Sequence, residues 1–327
     1  MPAHPDQFLD NLLVLGGSGF LGRSVCEKLV ERAGGGGGPI IVPSRHPHRA
    51  RHLLPLPTVE LVQADLFDDA RLDALVRGRD AVINLVGTLH GSDAQFQQVH
   101  VELPRRVARA CAAGGVRRVV HVSALGADAS APSKYLRTKA AGEAVWHRPA
   151  IDLTVLRPSV MFGEFDHFMN RFASLLRIFP LMPLPCADAR FQPVWVDDVA
   201  EAIARALDTP SSIGETIECV GPHVCTLKEL VEAAGRWSGH RRPVIPLPGP
   251  LGRLQAALLG LLPGDPPMSR DNLDSMKVPS VASGMLPGLE RFGLTPRALE
   301  AVMPGVLGPT TGPARMGPIG TVARKPS

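Results

Sequence analysis

Several features are scarce in this chain of 327 residues. Aromatic residues make up 5% of it and include a single tyrosine, so the chain lacks the stacking surface by which many proteins bind single-stranded nucleic acids. The net charge of +4 comes mostly from scattered arginines rather than from a basic block. A small positive charge of this kind is compatible with anionic ligands, but it lacks the basic cluster that DNA binding needs. We therefore expect no nucleic-acid partner.

Cysteines and long apolar runs are also few. Five cysteines without a Cys-x-x-Cys motif predict reduced thiols rather than a disulfide framework or a zinc site. The N-terminus has no apolar signal segment, and no uncharged apolar run reaches the roughly 18–20 residues of a membrane span. We therefore expect a cytoplasmic protein, with peripheral contact to the inner face of the cytoplasmic membrane left open.

Short apolar segments alternate with helical ones in the first half of the chain. Because buried parallel strands are apolar on both faces, continuous apolar runs predict them. Strand, helix and strand in repetition predict an α/β protein with a Rossmann doubly wound parallel sheet. The predicted strands are 11–16, 40–45, 59–66, 80–87, 117–125 and 151–163, and the predicted helices between them include 21–33, 68–78 and 100–115.

After residue 163 the alternation loosens and prolines cluster. A strand edge and helix at 193–210 and a strand at 216–221 indicate that some later segments return to the first sheet. We therefore predict three parts, with a smaller, interleaved second lobe and a disordered tail rich in Gly and Pro. They are an NAD(P)-binding Rossmann domain at 1–163, a C-terminal substrate or partner lobe at 164–307, and the tail at 308–327.

The segment GGSGFLG, residues 16–22, follows the first strand and opens a helix. Its glycines allow a tight turn, a close approach of backbone amides to a pyrophosphate, and close packing of the helix, whose N-terminus carries partial positive charge. In this context the motif predicts dinucleotide binding. The predicted contacts in the turn are Gly16, Gly17, Ser18, Gly19, Phe20, Leu21 and Gly22.

The end of the second strand bears on the choice of cofactor. An NAD site has Asp or Glu there, which binds the ribose hydroxyls. Here the strand ends in Ser44 and Arg45, and no carboxylate follows before Glu60. Since Ser44 and Arg45 can hold a 2′-phosphate, we expect NADP(H) rather than NAD(H). The histidines of the same loop have no acidic partner, so we do not expect a metal site.

Further cofactor contacts are expected where the next strands end. The aspartate after the third strand would meet the adenine ring or cap the following helix. The end of the fourth strand would line the dinucleotide channel. The predicted contacts at these strand ends are Asp65, Leu66, Leu85, Val86, Gly87 and Pro158.

The only tyrosine, Tyr135, lies four residues before Lys139 in a segment predicted to be helical. One helical turn places the two side chains on one face, where the ammonium would favour the phenolate and lower the pKa of the phenol. Ser123, at the end of the fifth strand, would orient a substrate oxygen. Tyr135, Lys139 and Ser123 are the predicted catalytic residues, and the first two would also contact the cofactor. An exposed tyrosine packed on the lysine stem is the alternative.

Together these motifs resemble the short-chain dehydrogenase/reductase superfamily in its extended, atypical branch. Residues 121–143, 156–173 and 191–203 are similar to blocks of the nucleotide-binding accessory-subunit family of respiratory complex I. The resemblance covers roughly residues 11–300. It implies a Rossmann fold, bound NADP(H), and an association with quinone or membrane metabolism.

Three functions follow from these residues. The favoured one is an oxidoreductase that passes a hydride between NADP(H) and a carbonyl or quinone-like substrate. A non-catalytic NADPH-binding accessory or assembly protein of a membrane complex is the first alternative, and a nucleotide-sugar epimerase or dehydratase is the second.

Residues 250–264 place five leucines on one helical stripe. At about 13 residues the stripe is too short to span a bilayer. It could lie on a membrane surface or guard a channel for an apolar substrate such as a quinone. We favour a third interpretation, in which the helix packs on the core or on a partner.

Overall fold

A computed structural model describes residues 8–146, 150–259 and 268–308 of the chain. Its strands are β1 (Leu12–Leu15), β2 (Ile40–Ser44), β3 (Val59–Gln63), β4 (Ala81–Asn84), β5 (Arg118–Val122), β6 (Asp152–Pro158), β7 (Met161–Phe162), β8 (Met182–Pro185), β9 (Arg190–Phe191), β10 (Val194–Trp195), β11 (Thr216–Cys219), β12 (Cys225–Thr226) and β13 (Val244–Leu247). Its α-helices are α1 (Phe20–Arg32), α2 (Asp69–Val76), α3 (Asp93–Gln97), α4 (Leu103–Gly114), α5 (Lys134–Trp146), α6 (Met169–Ile178), α7 (Val196–Leu207), α8 (Leu227–Trp237), α9 (Gly249–Leu259), α10 (Arg270–Ser275) and α11 (Leu299–Leu307).

Seven strands form one sheet in the order β11-β6-β5-β4-β1-β2-β3. Every neighbouring pair is parallel, and the central register pairs Leu12 with Ala81 and Leu15 with Asn84. The strand order reverses between β1 and β4, which opens a crevice at the carboxyl edge where ligands of such sheets bind. The predicted Rossmann doubly wound parallel sheet is confirmed.

Helices cover both faces of the sheet. On one face α1 and α7 pack over a core that includes Val25 and Ile203. On the other face α2, α4 and α5 pack over a core that includes Leu72, Val107 and Trp146. The central strands β1 and β4 are buried on both faces, and this is why their sequences are apolar runs rather than alternating ones.

The second lobe has an apolar core of its own, which includes Met169, Leu176, Leu230 and Met303. Its strands form three small two-stranded sheets, in one of which β10 pairs with β7 from the first part. The helix α7 packs on the first sheet, and the strand β11 joins that sheet beside β6. Because the second lobe has this separate core, we propose that the chain divides into parts at 1–163 and 164–307. Nearly all of the predicted tail, residues 309–327, lies outside the described residues.

The predicted leucine stripe lies partly on α9. Leu251 is 53% exposed and Leu254 is 57% exposed, so packing of these two side chains on the chain's own core is wrong. The rest of the stripe lies outside the described side chains. Across the ranges that the structure describes, no helix combines the length and apolar character that a bilayer crossing requires.

Candidate dinucleotide-binding site

The glycine turn joins β1 to α1 by direct backbone contacts. Gly16 has a φ of +81°, a left-handed conformation that disfavours a side chain. A Cβ on Gly16 would lie 3.1 Å from the backbone carbon of Leu85. A Cβ on Gly22 would lie only 2.4 Å from the carbonyl oxygen of Gly16. Both positions therefore require glycine, because the turn contacts the end of β4 on one side and α1 on the other.

The first turn of α1 offers backbone amides to a ligand. Its N-cap, Gly19, has no side chain to accept hydrogen bonds, and no acidic residue lies in the first turn. The amides of Phe20, Leu21 and Gly22 therefore have no acceptor within the helix. With the partial positive charge of the helix terminus, they suit a pyrophosphate. Ser18 lies half-buried in the same turn.

The end of β2 presents a cation to solvent. The hydroxyl of Ser44 accepts a hydrogen bond from the amide of His46 at 3.2 Å, which orders the loop after the strand. Arg45 is exposed and makes no hydrogen bond or ion pair with the described part of the chain. An arginine held at this strand end without an anionic partner can receive an anionic group of a ligand.

The residues after β3 decide whether Asp65 caps the helix that follows. Asp65 is exposed, and its carboxylate accepts a hydrogen bond from the amide of Phe67 at 3.0 Å. The N-cap of α2 is Asp68, which accepts from the amide of Arg71. Capping of α2 by Asp65 is therefore wrong, because the helix begins three residues later than that alternative requires. Leu66 is half-buried beside it.

The end of β4 closes against α5. The amide of Leu85 donates to the carbonyl of Leu15 at 2.9 Å, and the amide of Val86 donates to the side chain of Asn84 at 3.3 Å. Leu85 and Val86 are half-buried. A Cβ on Gly87 would lie 3.1 Å from Nζ of Lys139. The predicted channel-lining segment and the predicted catalytic lysine are therefore neighbours.

The helix that carries the Tyr-Lys pair is capped from two directions. The Ser133 hydroxyl accepts from the amide of Leu136 at 3.2 Å. The carboxylate of Asp271, on α10, accepts from the amides of Lys134 and Tyr135 at 2.7 and 3.1 Å. A carboxylate at a helix N-terminus is stabilising. The second lobe therefore holds the start of α5 in place.

Lys139 is buried at the carboxyl end of β5. Its ammonium donates to the carbonyl of Val122 at 3.2 Å, and its side chain is 5% exposed. Burial lowers the pKa of Lys139 to about 8, and the nearby carboxylate of Glu143 opposes that shift. Glu143 itself forms a two-point ion pair with Arg157 of β6. That pair joins α5 to the sheet.

Tyr135 lies with its ring against other rings. The ring centroids of Tyr135 and His100 are 5.5 Å apart in an edge-on arrangement, and Phe96 lies beyond at 6.4 Å. The phenol hydroxyl makes no hydrogen bond with the described residues. Burial raises the pKa of Tyr135. The expected lowering of that pKa by Lys139 is therefore wrong, since desolvation of the phenolate dominates.

Ser123 follows β5 directly and is 3% exposed. Its amide donates to the carbonyl of Leu156 at 2.8 Å, but its hydroxyl has no hydrogen-bond partner among the described residues. An unsatisfied buried hydroxyl costs about 1–3 kcal/mol, so a ligand group that bonds to it would recover that loss. Pro158, at the end of the neighbouring β6, is also buried, and its carbonyl accepts from the amide of Leu125.

These features fit a bound dinucleotide. The glycine turn forms a cradle that a Cβ at Gly22 would fill, and uncapped amides face it. An unpartnered hydroxyl at Ser123 lies at the same carboxyl edge. The donors are backbone amides, hydroxyls and cations, which are the groups that bind phosphate and ribose.

His100 is a site residue that the sequence did not reveal. It is 2% exposed and lies in a π-helical turn, Gln98–Glu102, before α4. Its Nε2 accepts from the amide of Thr88 at 3.1 Å, so its Nδ1 carries the proton and donates to the Thr138 hydroxyl at 2.9 Å. A single histidine in a helical segment belongs to no motif, and only the tertiary contact with Tyr135 identifies it.

Acid is expected to destabilise the fold through His100. Burial, with a smaller contribution from Lys139, lowers the pKa of His100 to about 3. The unfolded chain therefore binds more protons than the folded one between that value and about 6.5, and stability falls as the pH drops through this window. We expect a loss of about 1–2 kcal/mol in the free energy of unfolding between about pH 7 and pH 5, measured by urea unfolding.

The variant His100→Gln should reduce this pH dependence, whereas the exposed His48→Gln should leave it unchanged. His121 is also buried, and its pKa is lowered too, so part of the dependence should remain. An unaltered pH dependence in His100→Gln would contradict the assignment of a buried, neutral imidazole.

A parallel Rossmann sheet with a glycine turn after its first strand defines a dinucleotide-binding protein. The chain belongs to the NAD dependent epimerase/dehydratase family, whose sequence profile matches residues 12–219. It therefore binds a nicotinamide dinucleotide, as its sequence predicted.

Known relatives extend this result over most of the chain. The chain is 34% identical over 300 residues to the mitochondrial NADH dehydrogenase (ubiquinone) 1 alpha subcomplex subunit 9 of Rattus norvegicus, with 88% of this chain and 77% of the relative covered. It is 30% identical over 265 residues to the mitochondrial NADH-ubiquinone oxidoreductase 40 kDa subunit of Neurospora crassa, with 80% and 69% covered. The predicted resemblance to complex I accessory subunits is confirmed.

Among solved structures, the fold is similar to that of the NADPH-dependent quinone oxidoreductase of Escherichia coli complexed with NADPH. The TM-score is 0.72 at 22% identity, with 89% of this chain and 98% of the other covered. At this identity the similarity concerns the fold alone.

The comparisons correct the expected location. We expected a cytoplasmic protein from the lack of a signal segment. The relatives from Rattus norvegicus, Mus musculus, Neurospora crassa and Arabidopsis thaliana are all mitochondrial proteins. These relatives point to a mitochondrial rather than a cytoplasmic location. The expectation of a cytoplasmic protein is therefore wrong.

Proposed function

We propose that this chain is an NADP(H)-dependent oxidoreductase that acts in quinone or respiratory-chain metabolism. A hydride would pass between the nicotinamide and a carbonyl or quinone-like substrate. The observation that carries the proposal is the arrangement at the ends of β4 and β5. There the buried ammonium of Lys139 lies beside Gly87, one helical turn from Tyr135, and the adjacent Ser123 has an unpartnered hydroxyl.

The cofactor would be held along the carboxyl edge of the sheet. The glycine turn and the first turn of α1 would bind the pyrophosphate, Ser44 and Arg45 the 2′-phosphate, and Asp65 and Leu66 the adenine. The nicotinamide half would be lined by Leu85, Val86, Gly87, Lys139 and Pro158. When bound, the dinucleotide supplies or accepts the hydride.

Tyr135 would act as a proton donor in the direction of reduction. Because burial raises its pKa, the phenol stays protonated at neutral pH and can give its proton to a substrate oxygen. Ser123 would hold that oxygen through its hydroxyl. Lys139, whose pKa of about 8 keeps it mostly charged at neutral pH, would hold the nicotinamide ribose.

The names of similar proteins support a quinone-linked role. The names of the Rattus norvegicus and Neurospora crassa relatives both include ubiquinone. An apolar acceptor such as a quinone is therefore the substrate class that we test first.

One observation favours a second candidate, a non-catalytic NADPH-binding subunit of a membrane complex. The ammonium of Lys139 is bonded to the carbonyl of Val122, and the phenol of Tyr135 has a raised pKa and no hydrogen bond among the described residues. Purified protein that retains NADPH, and in which no quinone or carbonyl compound oxidises that NADPH, would establish this candidate over the first. Steady turnover with a quinone would exclude it.

Arg45 is expected to determine the preference for NADP(H). Charge-assisted hydrogen bonds to phosphate contribute about 1.5–3 kcal/mol, so Arg45→Ala should weaken NADPH binding about 10- to 100-fold. The affinity for NADH should change much less, because NADH has no 2′-phosphate. Isothermal titration calorimetry with both dinucleotides measures the difference.

The matched control for this experiment is Arg71→Ala. Arg71 is another exposed arginine, and it lies on α2. Its removal should alter neither affinity. Equal losses of NADPH and NADH affinity in Arg45→Ala would refute the assignment of Arg45 to the 2′-phosphate.

A further inference from the structure

The second lobe exposes a concentration of large apolar side chains, which we call the apolar patch. Six of the fourteen exposed large hydrophobic residues in the described chain belong to it, and their exposures range from 45% to 67%. Isolated exposed residues of this kind are normal, but a cluster of them indicates an interaction surface. The patch consists of Ile178, Phe179, Leu181, Ile245, Leu251 and Leu254.

Neighbouring elements bring these residues into one part of the lobe. The parallel pair β8–β13 places Ile245 beside Pro183, and the side chain of Gln255 donates to the carbonyl of Pro183 at 3.3 Å. A Cβ on Gly252 would lie 2.5 Å from Cβ of Pro185. The face of α9 that includes Gly252 and Gln255 therefore packs on β8, and Leu251 and Leu254 remain in solvent.

The segments that carry the apolar patch are cationic, while the neighbouring helix α10, which contacts α9, carries Asp271 and Asp274. Residues 167–187 and 233–257 contain six arginines and no Asp or Glu. Arg242 also ties the patch together, because its Nε donates to the carbonyl of Leu176 at the end of α6. Five of the arginines are exposed, and none of these five forms an ion pair within the described ranges. They are Arg177, Arg236, Arg241, Arg242 and Arg253.

We propose that the apolar patch and its arginines dock the protein on the surface of an anionic lipid bilayer. Exposed aliphatic side chains can enter the boundary between headgroups and acyl chains, while arginines bind lipid phosphates. The 11 residues of α9 are too few to cross a bilayer, so α9 would lie on the surface. This proposal does not depend on the function proposed above.

The charge pattern favours a lipid surface over a protein partner. A protein interface has a polar rim, and a positively charged patch there meets a negative patch on one specific partner. Here exposed arginines without ion pairs lie in the same segments as the exposed apolar side chains, and the deformable surface of an anionic bilayer satisfies both features. The sequence offered membrane contact as an alternative for residues 250–264, and the exposed residues at the end of α6 and on β13 extend that surface.

The test is co-sedimentation of the full chain with lipid vesicles. We expect binding to vesicles of phosphatidylcholine that contain phosphatidylglycerol, and little binding to phosphatidylcholine alone. The double variant Leu251→Ser, Leu254→Ser should lower the partition coefficient about tenfold or more. The double variant Arg241→Gln, Arg253→Gln should lower it about fivefold or more, and added salt should have a similar effect.

The control is Met285→Ser. Met285 is 86% exposed but lies outside the apolar patch, so its replacement should leave vesicle binding unchanged. Thermal unfolding of every variant checks that the fold is retained. We expect no loss of the fold, because all the altered side chains are exposed. The proposal is overturned if the wild-type chain binds neither kind of vesicle, as a surface for a protein partner would behave. Equal binding to both kinds of vesicle, or unchanged binding by the leucine variant, would also overturn it.

Discussion

Replacing Gly22 with alanine is expected to remove most of the dinucleotide affinity. The new Cβ would lie 2.4 Å from the carbonyl oxygen of Gly16 and 2.4 Å from Cα of Gly17. Both are backbone atoms of the turn, so α1 or the turn itself must move. Each backbone hydrogen bond to a charged phosphate contributes about 1.5–3 kcal/mol, and loss of one or two would weaken binding about 100-fold. Isothermal titration calorimetry with NADPH measures this loss.

Alanine substitutions at two other glycines serve as comparisons for the loss of NADPH affinity. A Cβ on Gly17 would meet the methyl groups of Val42 at 2.9 Å, and side-chain atoms yield more easily than backbone. A Cβ on Gly36 would have the carbonyl of Ala33 at 3.9 Å as its nearest neighbour. We therefore expect a large loss for Gly22→Ala, an intermediate loss for Gly17→Ala, and none for Gly36→Ala.

Gly22→Ala should also lower the free energy of unfolding, by about 1–3 kcal/mol for an overpacked contact. Unfolding without ligand therefore has to be measured beside binding. Full NADPH affinity in a folded Gly22→Ala variant would contradict the assignment of the turn to the pyrophosphate.

The sheet could be predicted from the sequence because each of its strands carries a local signal. β1 was expected at 11–16 and lies at Leu12–Leu15, and β4 was expected at 80–87 and lies at Ala81–Asn84. A strand buried on both faces is a continuous apolar run whatever its neighbours are. The glycine turn could be predicted for a similar reason, since its steric requirements fall within seven consecutive residues.

The surroundings of Tyr135 could not be predicted, because they depend on contacts between distant segments. The cap on α5 comes from Asp271, 136 residues beyond Tyr135. His100 reaches the ring from a π-helical turn at the start of another helix. No periodicity or short motif encodes such contacts. The burial that they produce reverses the direction of the expected pKa shift of Tyr135.

Replacing Tyr135 with phenylalanine is expected to remove the turnover of a quinone or carbonyl substrate while leaving the cofactor bound. Proton transfer by a positioned side chain contributes about 10²- to 10⁴-fold to a rate, and kcat should fall by that factor. The ring of Phe keeps the edge contact with His100. The lost hydroxyl makes no hydrogen bond with the described residues, so the free energy of unfolding should hardly change.

Two variants complete this experiment and separate the two candidate functions. Lys139→Met should weaken NADPH binding as well as turnover, because its ammonium lies at Gly87 where the nicotinamide ribose is expected. Ser130→Ala removes an exposed hydroxyl just before α5 and should change neither quantity. Unchanged turnover in Tyr135→Phe would show that the phenol is not the proton donor. If the wild-type protein binds NADPH tightly and no quinone or carbonyl compound oxidises it, the Tyr-Lys pair holds a nucleotide in a subunit that does not catalyse a reaction.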